Sequence, residues 1–212
     1  MQLAGIFGVG GCGRGIMPLL RNQSAGQQCE CVFVDDGNAA PKINGQRVMS
    51  LADFVADPRP KAIAIAIADP FIRRKIALRC EVLGVGFLAI TGTPMVKMDD
   101  VEIGEGAILS PFVTITSNVR IGKHFHGNLY SYVEHDCVIG DYVTFAPSVR
   151  CNGNIDIGDL AYIGAGAIIK QGKNGAPLRI GAGAVIGMGA VVTRNVPAGA
   201  TMVGNPARIM RG

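Results

Sequence analysis

The sequence predicts a small α/β domain followed by an all-β domain that is a parallel β-helix. Strands and helices alternate in the first part of the chain, and a glycine-rich turn follows the first strand. Apolar residues then recur every six positions from Ile103 onward. A chain of 212 residues has room for two domains, which we expect over residues 1–95 and 96–212.

Composition narrows the class of protein. Hydrophobic residues make up 49% and charged residues 17% of the chain, which excludes a disordered polyelectrolyte. The net charge of +4 comes without a run of Lys or Arg, so a small polyanionic ligand is favoured over nucleic acid. The six Cys lack zinc spacing, the N-terminus does not resemble a signal peptide, and no apolar run has the roughly 18–20 residues of a membrane span. These features predict a cytoplasmic protein with free thiols and no membrane span.

Six elements are expected in the α/β domain. The second helix begins with Asp69 as a favourable N-cap and Pro70 at the first helical position. Pro18 is expected near the start of the first helix, where proline is tolerated. Alternation of strand and helix is typical of a parallel sheet. The expected elements are strand 2–8, helix 16–22, strand 30–34, strand 61–67, helix 69–83 and strand 86–90.

A repeat of six residues runs through the second domain. Twelve positions spaced by six lead from Ile103 to Ile169, eleven of them apolar, and a small or apolar residue stands four positions after each of the first eleven. The pattern breaks over Gln171–Arg179, where we expect five extra residues to loop out, and resumes at Ile180. A period of six predicts a parallel β-helix in which each hexad forms one short strand and one corner. Glycines at the second hexad position are expected where a corner needs a positive φ or close backbone approach.

The glycine-rich turn between the first strand and the first helix has the pattern G-x-G-x-x-G. Such a turn places backbone amides at a helix N-terminus, where they can bind a pyrophosphate. Asp35 and Asp36 end the next strand, where an acidic residue bonds a ribose hydroxyl in dinucleotide-binding domains. The domain is too short for a full dinucleotide fold, and a turn that serves packing alone is the alternative. The glycines of the turn are Gly8, Gly10, Gly11 and Gly13.

The hexads resemble those of the hexapeptide-repeat acyltransferases, and VGNPARIM (203–210) is similar to the end of that family's repeat domain. With the preceding α/β domain, VEHDCVIGD (133–141) resembles the bacterial sugar acetyltransferases that act on nucleotide-linked 4-amino-4,6-dideoxy sugars, such as the perosamine N-acetyltransferases. The resemblance implies a left-handed prism with three hexads per turn, acetyl-CoA as acyl donor, and a homotrimer that binds the coenzyme between subunits. It also implies that the small Rossmann-like domain holds the nucleotide of the sugar.

His135 is the leading candidate for chemistry. With 18 residues per turn of the implied prism, Ser117, His135, Gly153 and Gln171 should form one column, with successive coils about 4.8 Å apart. A thioester carbonyl between His135 and the Gly153 N–H would meet a base on one side and a donor on the other. The resemblance assigns the same roles to these two residues. An exposed turn histidine without a function is the alternative.

Acidic residues flank His135 on both sides, and either Glu134 or Asp136 could orient its imidazole. The resemblance favours Asp136, since the family's matching position is acidic. Asn128 matches a family asparagine near the sugar, or is a polar turn residue.

The histidines of the second domain raise the question of a metal site, because some prism proteins bind zinc through three His. His124 and His126 would need His135 as the third ligand, but nine residues separate His126 from His135, which puts them on different faces. We therefore predict no metal.

Small and basic residues near the extra loop are candidates for contact with the coenzyme. Small side chains could admit the pantetheine arm, and cations could meet the phosphates; ordinary solubility charge is the alternative for the cations. The small candidates are Gly153, Ala165, Gly166, Gly181 and Gly183. The cationic candidates are Lys170, Lys173, Arg179, Arg194 and Arg208.

With the resemblance, these residues predict an acetyl-CoA-dependent N-acetyltransferase acting on the 4-amino group of a nucleotide-linked amino-dideoxy sugar. The acceptor is expected to be GDP-perosamine-like or UDP-linked and to serve O-antigen and lipopolysaccharide synthesis. Transfer should be direct, because Cys137 and Cys151 fall at inward hexad positions. The alternatives are a sugar O-acetyltransferase of the sialic-acid type and a nucleotide-sugar-binding scaffold without catalysis.

Overall fold

The computed structural model describes residues 1–37 and 40–210, and the chain divides into two compact units, Met1–Thr91 and Gly92–Gly212. The division falls four residues before the expected boundary at residue 95. The reason is a hydrogen bond from the Gly92 N–H to the Leu109 carbonyl (2.7 Å), which ties the chain into the repeat early. Within the described ranges, no helix has the length and apolar character needed to cross a bilayer.

Unit 1 is built on a sheet with β1 (Gln2–Phe7) near its centre. In the described residues the strand order is β3, β4, β2, β1, β5, β6, and β1 pairs in parallel with both neighbours. The chain moves outward in one direction from β1 to β2 and in the other from β5 to β6, so the order reverses between β1 and β5. The other elements are α1 (Gly11–Gln23), β2 (Cys29–Val34), β3 (Lys42–Ile43), β4 (Gln46–Met49), α2 (Leu51–Ala56), β5 (Lys61–Ile65), α3 (Pro70–Val82), β6 (Gly86–Phe87) and β7 (Ile90–Thr91).

Helix α1 is longer than expected and its proline sits elsewhere. It starts at Gly11, because Gly10 is already its N-cap, so Pro18 lies inside the helix and not near its start. Helix α2 and strands β3 and β4 were not predicted. All three elements are too short to show a periodic pattern in the sequence. The only local indication of α2 is its N-cap, Ser50, whose hydroxyl accepts a hydrogen bond from the Asp53 N–H (3.0 Å).

Unit 2 is the parallel β-helix that the period of six predicts. Each turn contributes one strand to each of three parallel sheets, and Tyr132 pairs with Arg150, 18 residues later. Sheet I contains β8 (Val96–Lys97), β11 (Thr114–Ile115), β14 (Tyr132–Val133), β17 (Arg150–Cys151), β20 (Ile168–Ile169) and β23 (Val191–Val192). Sheet II contains β9 (Val101–Ile103), β12 (Val119–Ile121), β15 (Val138–Ile139), β18 (Ile155–Ile157) and β21 (Leu178–Ile180). Sheet III contains β10 (Ile108–Leu109), β13 (His126–Gly127), β16 (Thr144–Phe145), β19 (Tyr162–Ile163), β22 (Val185–Ile186) and β24 (Thr201–Val203), with β25 (Arg208–Ile209) antiparallel to β24.

The core of unit 2 runs along the axis of the coil. Both apolar hexad positions are buried almost throughout, as the repeat predicts. Phe125 and Phe145 pack edge to face within it, with ring centroids 5.2 Å apart. Cys137 and Cys151 are buried there as well.

The break in the repeat is an insertion of five residues, as predicted. Ile155 pairs with Leu178, which lies 23 residues later, five more than the usual 18. A short antiparallel bridge between Lys173 and Ala176 closes the inserted turn.

The glycines at the second hexad position serve close backbone approach. A Cβ on Gly140 would lie 2.7 Å from the Asp159 nitrogen of the next coil. The positive φ falls two residues later, at Tyr142 (59°) and Leu160 (62°). Of the two expected reasons for these glycines, close approach is therefore the one at work.

Candidate functional site

His135 lies on the edge of unit 2 between sheets I and II. The expected column forms there: the Asp136 N–H donates to the Ser117 carbonyl (3.2 Å), and the Gly172 N–H donates to the Gly153 carbonyl (2.9 Å). Ser117, His135, Gly153 and Gln171 therefore occupy equivalent positions in successive coils, as the spacing predicts.

The imidazole of His135 lies directly against Gly153. A Cβ built on Gly153 would be 2.6 Å from both Cε1 and Nε2 of the ring, so only glycine leaves the ring its place. The His135 side chain is 43% exposed, and its Nε2 side faces the next coil. A substrate atom can therefore approach the ring from solvent.

Asp136, and not Glu134, holds the ring. Asp136 Oδ2 lies 2.8 Å from His135 Nδ1, whereas no hydrogen bond or ion pair joins the Glu134 carboxylate to another described residue. The pKa of Asp136 is held below its ordinary value, first by this hydrogen bond and then by one from Asn118. An ionised carboxylate can only accept, so Nδ1 carries the proton and Nε2 has the free lone pair.

Gly153 supplies a backbone donor beside the ring. Its N–H has no acceptor among the residues that the structure describes. The carbonyl oxygen of a bound thioester could accept from it, while Nε2 of His135 takes up a proton from the attacking group.

Asn118 is a site residue that was not predicted from the sequence. Its Nδ2 donates to Asp136 Oδ1 over 3.1 Å. The signal was present, since Asn118 stands 18 residues, one turn, before Asp136.

The coenzyme candidates do not share one edge of the coil. Gly153 and Lys170 lie on the edge between sheets I and II, with His135. Ala165 and Gly166 follow β19 on the edge between sheets III and I, and Gly183 follows β21 on the edge between sheets II and III. Gly166 and Gly183 have positive φ values of 68° and 65°, and a Cβ on Gly166 would meet nothing within 4 Å. A single chain spreads these residues over three edges.

Asn128 and the other two His also lie away from the His135 edge. Asn128 follows β13, and its Nδ2 donates to the Phe145 carbonyl (2.8 Å). His124 is fully buried and stacks on Tyr142 with centroids 5.0 Å apart, and His126 is 2% exposed. Among the described residues, no three His, Cys, Asp or Glu side chains come together in a way that could hold a metal.

The glycines of unit 1 divide into two kinds. Gly8 has a φ of 104°, and a Cβ on Gly13 would collide with the Gly8 carbonyl oxygen, so these two are needed by the turn itself. A Cβ on Gly10 or Gly11 would meet nothing within 4 Å. Because these two glycines have no side chain, there is room for a ligand at the N-terminus of α1. That turn lies at the carboxyl end of β1, beside the point where the strand order reverses, which is where open α/β sheets bind ligands.

Asp35 shapes this turn from the neighbouring strand. Its Oδ2 accepts from the Val9 N–H (3.2 Å) and its Oδ1 from the Gly37 N–H (2.9 Å). Both oxygens are therefore used within the chain.

Asp36 also has partners on both oxygens. Oδ1 accepts from the Leu51 N–H at the start of α2 (2.8 Å), and Oδ2 pairs with Arg79. The Leu51 hydrogen bond mainly, and Arg79 further, lower the pKa of Asp36. Its remaining lone pairs are available to a ligand, but the sequence did not indicate these two contacts.

The chain is similar to known proteins along its whole length. A scan against models of protein families finds no match. The chain is 52% identical over 216 residues to the GDP-perosamine N-acetyltransferase of Escherichia coli O157:H7, an alignment that covers 100% of this chain and 97% of that protein.

Solved structures agree with this relationship. WeeI from Acinetobacter baumannii AYE is 54% identical, with a TM-score of 0.97 and coverage of 99% of this chain and 100% of that one. PerB from Caulobacter crescentus, solved in complex with CoA and GDP-perosamine, is 26% identical, with a TM-score of 0.85 and coverage of 98% and 97%. An α/β unit followed by a β-helix is thus common to the whole length of these chains. The chain belongs to the sugar N-acetyltransferases that include GDP-perosamine N-acetyltransferase, enzymes of the hexapeptide-repeat kind.

Proposed function

We propose that this enzyme transfers the acetyl group of acetyl-CoA to the 4-amino group of a nucleotide-linked 4-amino-4,6-dideoxy sugar, with GDP-perosamine as the first candidate. The full-length relative at 52% identity bears that substrate in its name. PerB, which shares the fold, was solved with CoA and GDP-perosamine.

The observation that carries the chemistry is the His135–Asp136 pair placed against Gly153. The amine nitrogen attacks the thioester carbonyl carbon, so a C–N bond forms and the carbonyl oxygen gains negative charge. The Gly153 N–H donates to that oxygen, and His135 Nε2 takes the proton that the nitrogen loses. The C–S bond then breaks, and His135 returns the proton to the sulfur, which leaves as free CoA.

Asp136 supports this cycle without exchanging a proton. Its carboxylate, 2.8 Å from Nδ1, keeps the proton there and leaves Nε2 free to act as base. It also stabilises the positive charge that the ring carries after taking the second proton. No acyl-enzyme is needed, which suits the burial of Cys137 and Cys151.

The role of unit 1 in this proposal is to hold the nucleotide. The amides at the N-terminus of α1, which no side chain of the described residues caps, and the open space at Gly10 and Gly11 favour a diphosphate. Asp36 would accept from the ribose or the base.

A homotrimer completes the proposal. The coenzyme candidates lie on three edges of unit 2, and in a homotrimer an edge of one subunit can face an edge of the next. Gly153 and Lys170 of one subunit would then share the coenzyme with residues on the facing edge of its neighbour. A cytoplasmic location is supported by six cysteines that are all free.

The direct test is an acceptor panel. The purified enzyme is given acetyl-CoA with GDP-, UDP- or dTDP-linked 4-amino-4,6-dideoxy sugars, and free CoA and acetylated sugar are measured by chromatography and mass spectrometry. We expect acetylation of the amine and the highest kcat/KM with GDP-perosamine.

The matched control is the 4-hydroxy sugar on the same nucleotide. Transfer to that hydroxyl at a similar rate would favour an O-acetyltransferase. Binding of the nucleotide sugars without any CoA release would overturn the enzymatic assignment.

A further inference from the structure

The two oxygens of the Asp136 carboxylate have different partners. Oδ2 is the oxygen that bonds His135 Nδ1 (2.8 Å), and Oδ1 accepts from Asn118 Nδ2 (3.1 Å). An amide N–H only donates and an ionised carboxylate only accepts, so the direction of the second bond is not in doubt. The chain therefore contains a row of three side chains: amide, carboxylate and imidazole.

The backbone presents Asn118 and Asp136 in the same way. They occupy equivalent positions of successive coils, with φ values of 59° and 56°. Asn and Asp are among the few residues other than glycine that tolerate this left-handed region. The positive φ alone could therefore explain why position 118 is asparagine. Whether the side-chain hydrogen bond has a role of its own needs a comparison with another asparagine of the same conformation.

Asn154 provides this comparison. It is the next residue of the same column, and its φ of 58° matches that of Asn118. Its side chain, however, makes no hydrogen bond with any other residue in the described ranges. The backbone thus places asparagine at both corners, but only at 118 does the amide contact the pair that holds the active imidazole.

The contact at Asn118 has a consequence for the ring. The Asp136 side chain is 48% exposed, so water competes for its oxygens and its carboxylate can rotate. A donor fixed on Oδ1 sets the carboxylate plane and leaves Oδ2 directed at Nδ1 of His135. The tautomer with Nε2 unprotonated, which base catalysis needs, is thereby favoured.

We infer that Asn118 is a positioning residue, which acts through Asp136 to hold His135 in the orientation and tautomer of a general base. This inference rests on the proposed function, because it concerns the same His135 site. Asn118 does not itself touch the reacting atoms.

Two substitutions at 118 separate this role from a conformational one. Asn118→Gly removes the side chain and keeps a residue that accepts positive φ. Asn118→Asp keeps the shape and the tolerance for positive φ, but it replaces the donor by an acceptor and adds a negative charge beside Asp136. Asn154→Gly is the matched control, since it makes the same backbone change two coils away without removing a side-chain bond.

We expect Asn118→Gly to lower kcat about two- to tenfold, the usual net contribution of one hydrogen bond, and Asn118→Asp to lower it at least as much, with KM for each substrate within about twofold. In ¹⁵N spectra of the imidazoles, His135 should lose its preference for the Nδ1–H tautomer in Asn118→Gly. Asn154→Gly should match the wild type in kcat and in tautomer, and circular dichroism should show all three variants folded.

A purely conformational role predicts that Asn118→Gly behaves as wild type, because glycine accepts the positive φ, and that result would overturn the inference. The same follows if Asn118→Gly keeps the wild-type tautomer. The spectra are recorded without substrate, so failure of the proposed function, seen as no acetyl transfer by the wild type, remains distinct from failure of this inference.

Discussion

At the scale of single residues, glycines decide what the functional side chains can contact. Gly153 admits the ring of His135 against the next coil, and Gly10 leaves the N-terminus of α1 bare. In the first case the missing Cβ makes room for a side chain of the protein, and in the second it leaves room for a ligand. The two positions call for different tests.

Replacing His135 by alanine should lower kcat by roughly 10²–10⁴-fold, the usual contribution of a general base. The fold should survive, because the side chain is exposed at an edge and not part of the core. Steady-state kinetics at saturating acetyl-CoA, with a thermal melt as control, measure this. A folded variant with nearly the wild-type rate would exclude His135 as the base.

Gly10→Val should weaken binding of the nucleotide sugar by about tenfold or more, since the added methyl groups would occupy the space of the phosphates. Nothing in the described chain lies within 4 Å of the new Cβ, so folding should be preserved. Titration calorimetry with the nucleotide sugar and with acetyl-CoA measures both affinities. Gly15→Val is the matched control, because Gly15 is equally open but lies a turn further into α1. Equal loss for both ligands would argue against a nucleotide site in unit 1.

Asp36→Asn should also weaken the nucleotide sugar, by about 1–3 kcal/mol if the carboxylate bonds the ribose or base. The structure adds a requirement to this test. Because Asp36 also accepts from Leu51 and Arg79, the melting temperature of the variant must be shown unchanged before a weaker affinity is assigned to the ligand. Loss of acetyl-CoA binding alone would instead make unit 1 the coenzyme domain.

At the scale of elements, the corners of the β-helix contain two kinds of glycine. Gly140→Ala should destabilise unit 2 by about 3 kcal/mol, since the new Cβ would press on the backbone of Asp159. Gly189→Ala should cost only about 1 kcal/mol, since that glycine has open space and only its φ of 67° opposes a side chain. Urea unfolding of both variants gives the comparison. Equal losses would show that close approach is not the reason for the second-position glycines.

At the scale of the whole molecule, an ion-pair network in unit 1 should make stability depend on pH. Arg59 bonds both Glu30 (2.8 Å) and Asp57 (2.7 Å), and it is the main cause that lowers the pKa of each carboxyl. Groups with a lowered pKa stabilise the fold above their unfolded values, near 4, and this contribution is lost as the pH falls below that.

Arg59→Met should therefore lower the urea midpoint at pH 7, and the difference from wild type should shrink as the pH is taken from about 5 to 3. Arg74→Met, at an exposed position of α3 without an ion pair in the described chain, is the matched control and should change little. A difference that stays constant with pH would assign the effect to packing.

The oligomeric state is also a property of the whole molecule. Since the coenzyme candidates of one chain face three directions, acetyl-CoA should stabilise a trimer. Light scattering with and without acetyl-CoA measures the mass. A monomer with full activity would exclude a coenzyme site shared between subunits.

Much of the fold was predictable because its signals are periodic. From Leu109 to Ile169 each of the two inward positions recurs every six residues, so each strand of unit 2 repeats the same evidence. Helix α2 was missed because six residues are too few for a period to appear. Pro18 was misplaced because a helix interior is the least expected site for a residue without an N–H.

By itself, the sequence determined the β-helix, its five-residue insertion and the column that joins His135 to Gly153, since a strict repeat converts residue number into position. It left the choice between Glu134 and Asp136 open, because the direction of a side chain at a corner depends on local backbone angles. Only the tertiary structure decided that Asp136, at a φ of 56°, turns back to the ring and meets Asn118 from the coil before. Only the structure, too, showed that Asp35 and Asp36 are already bonded within unit 1, since those contacts depend on backbone donors that no sequence pattern places.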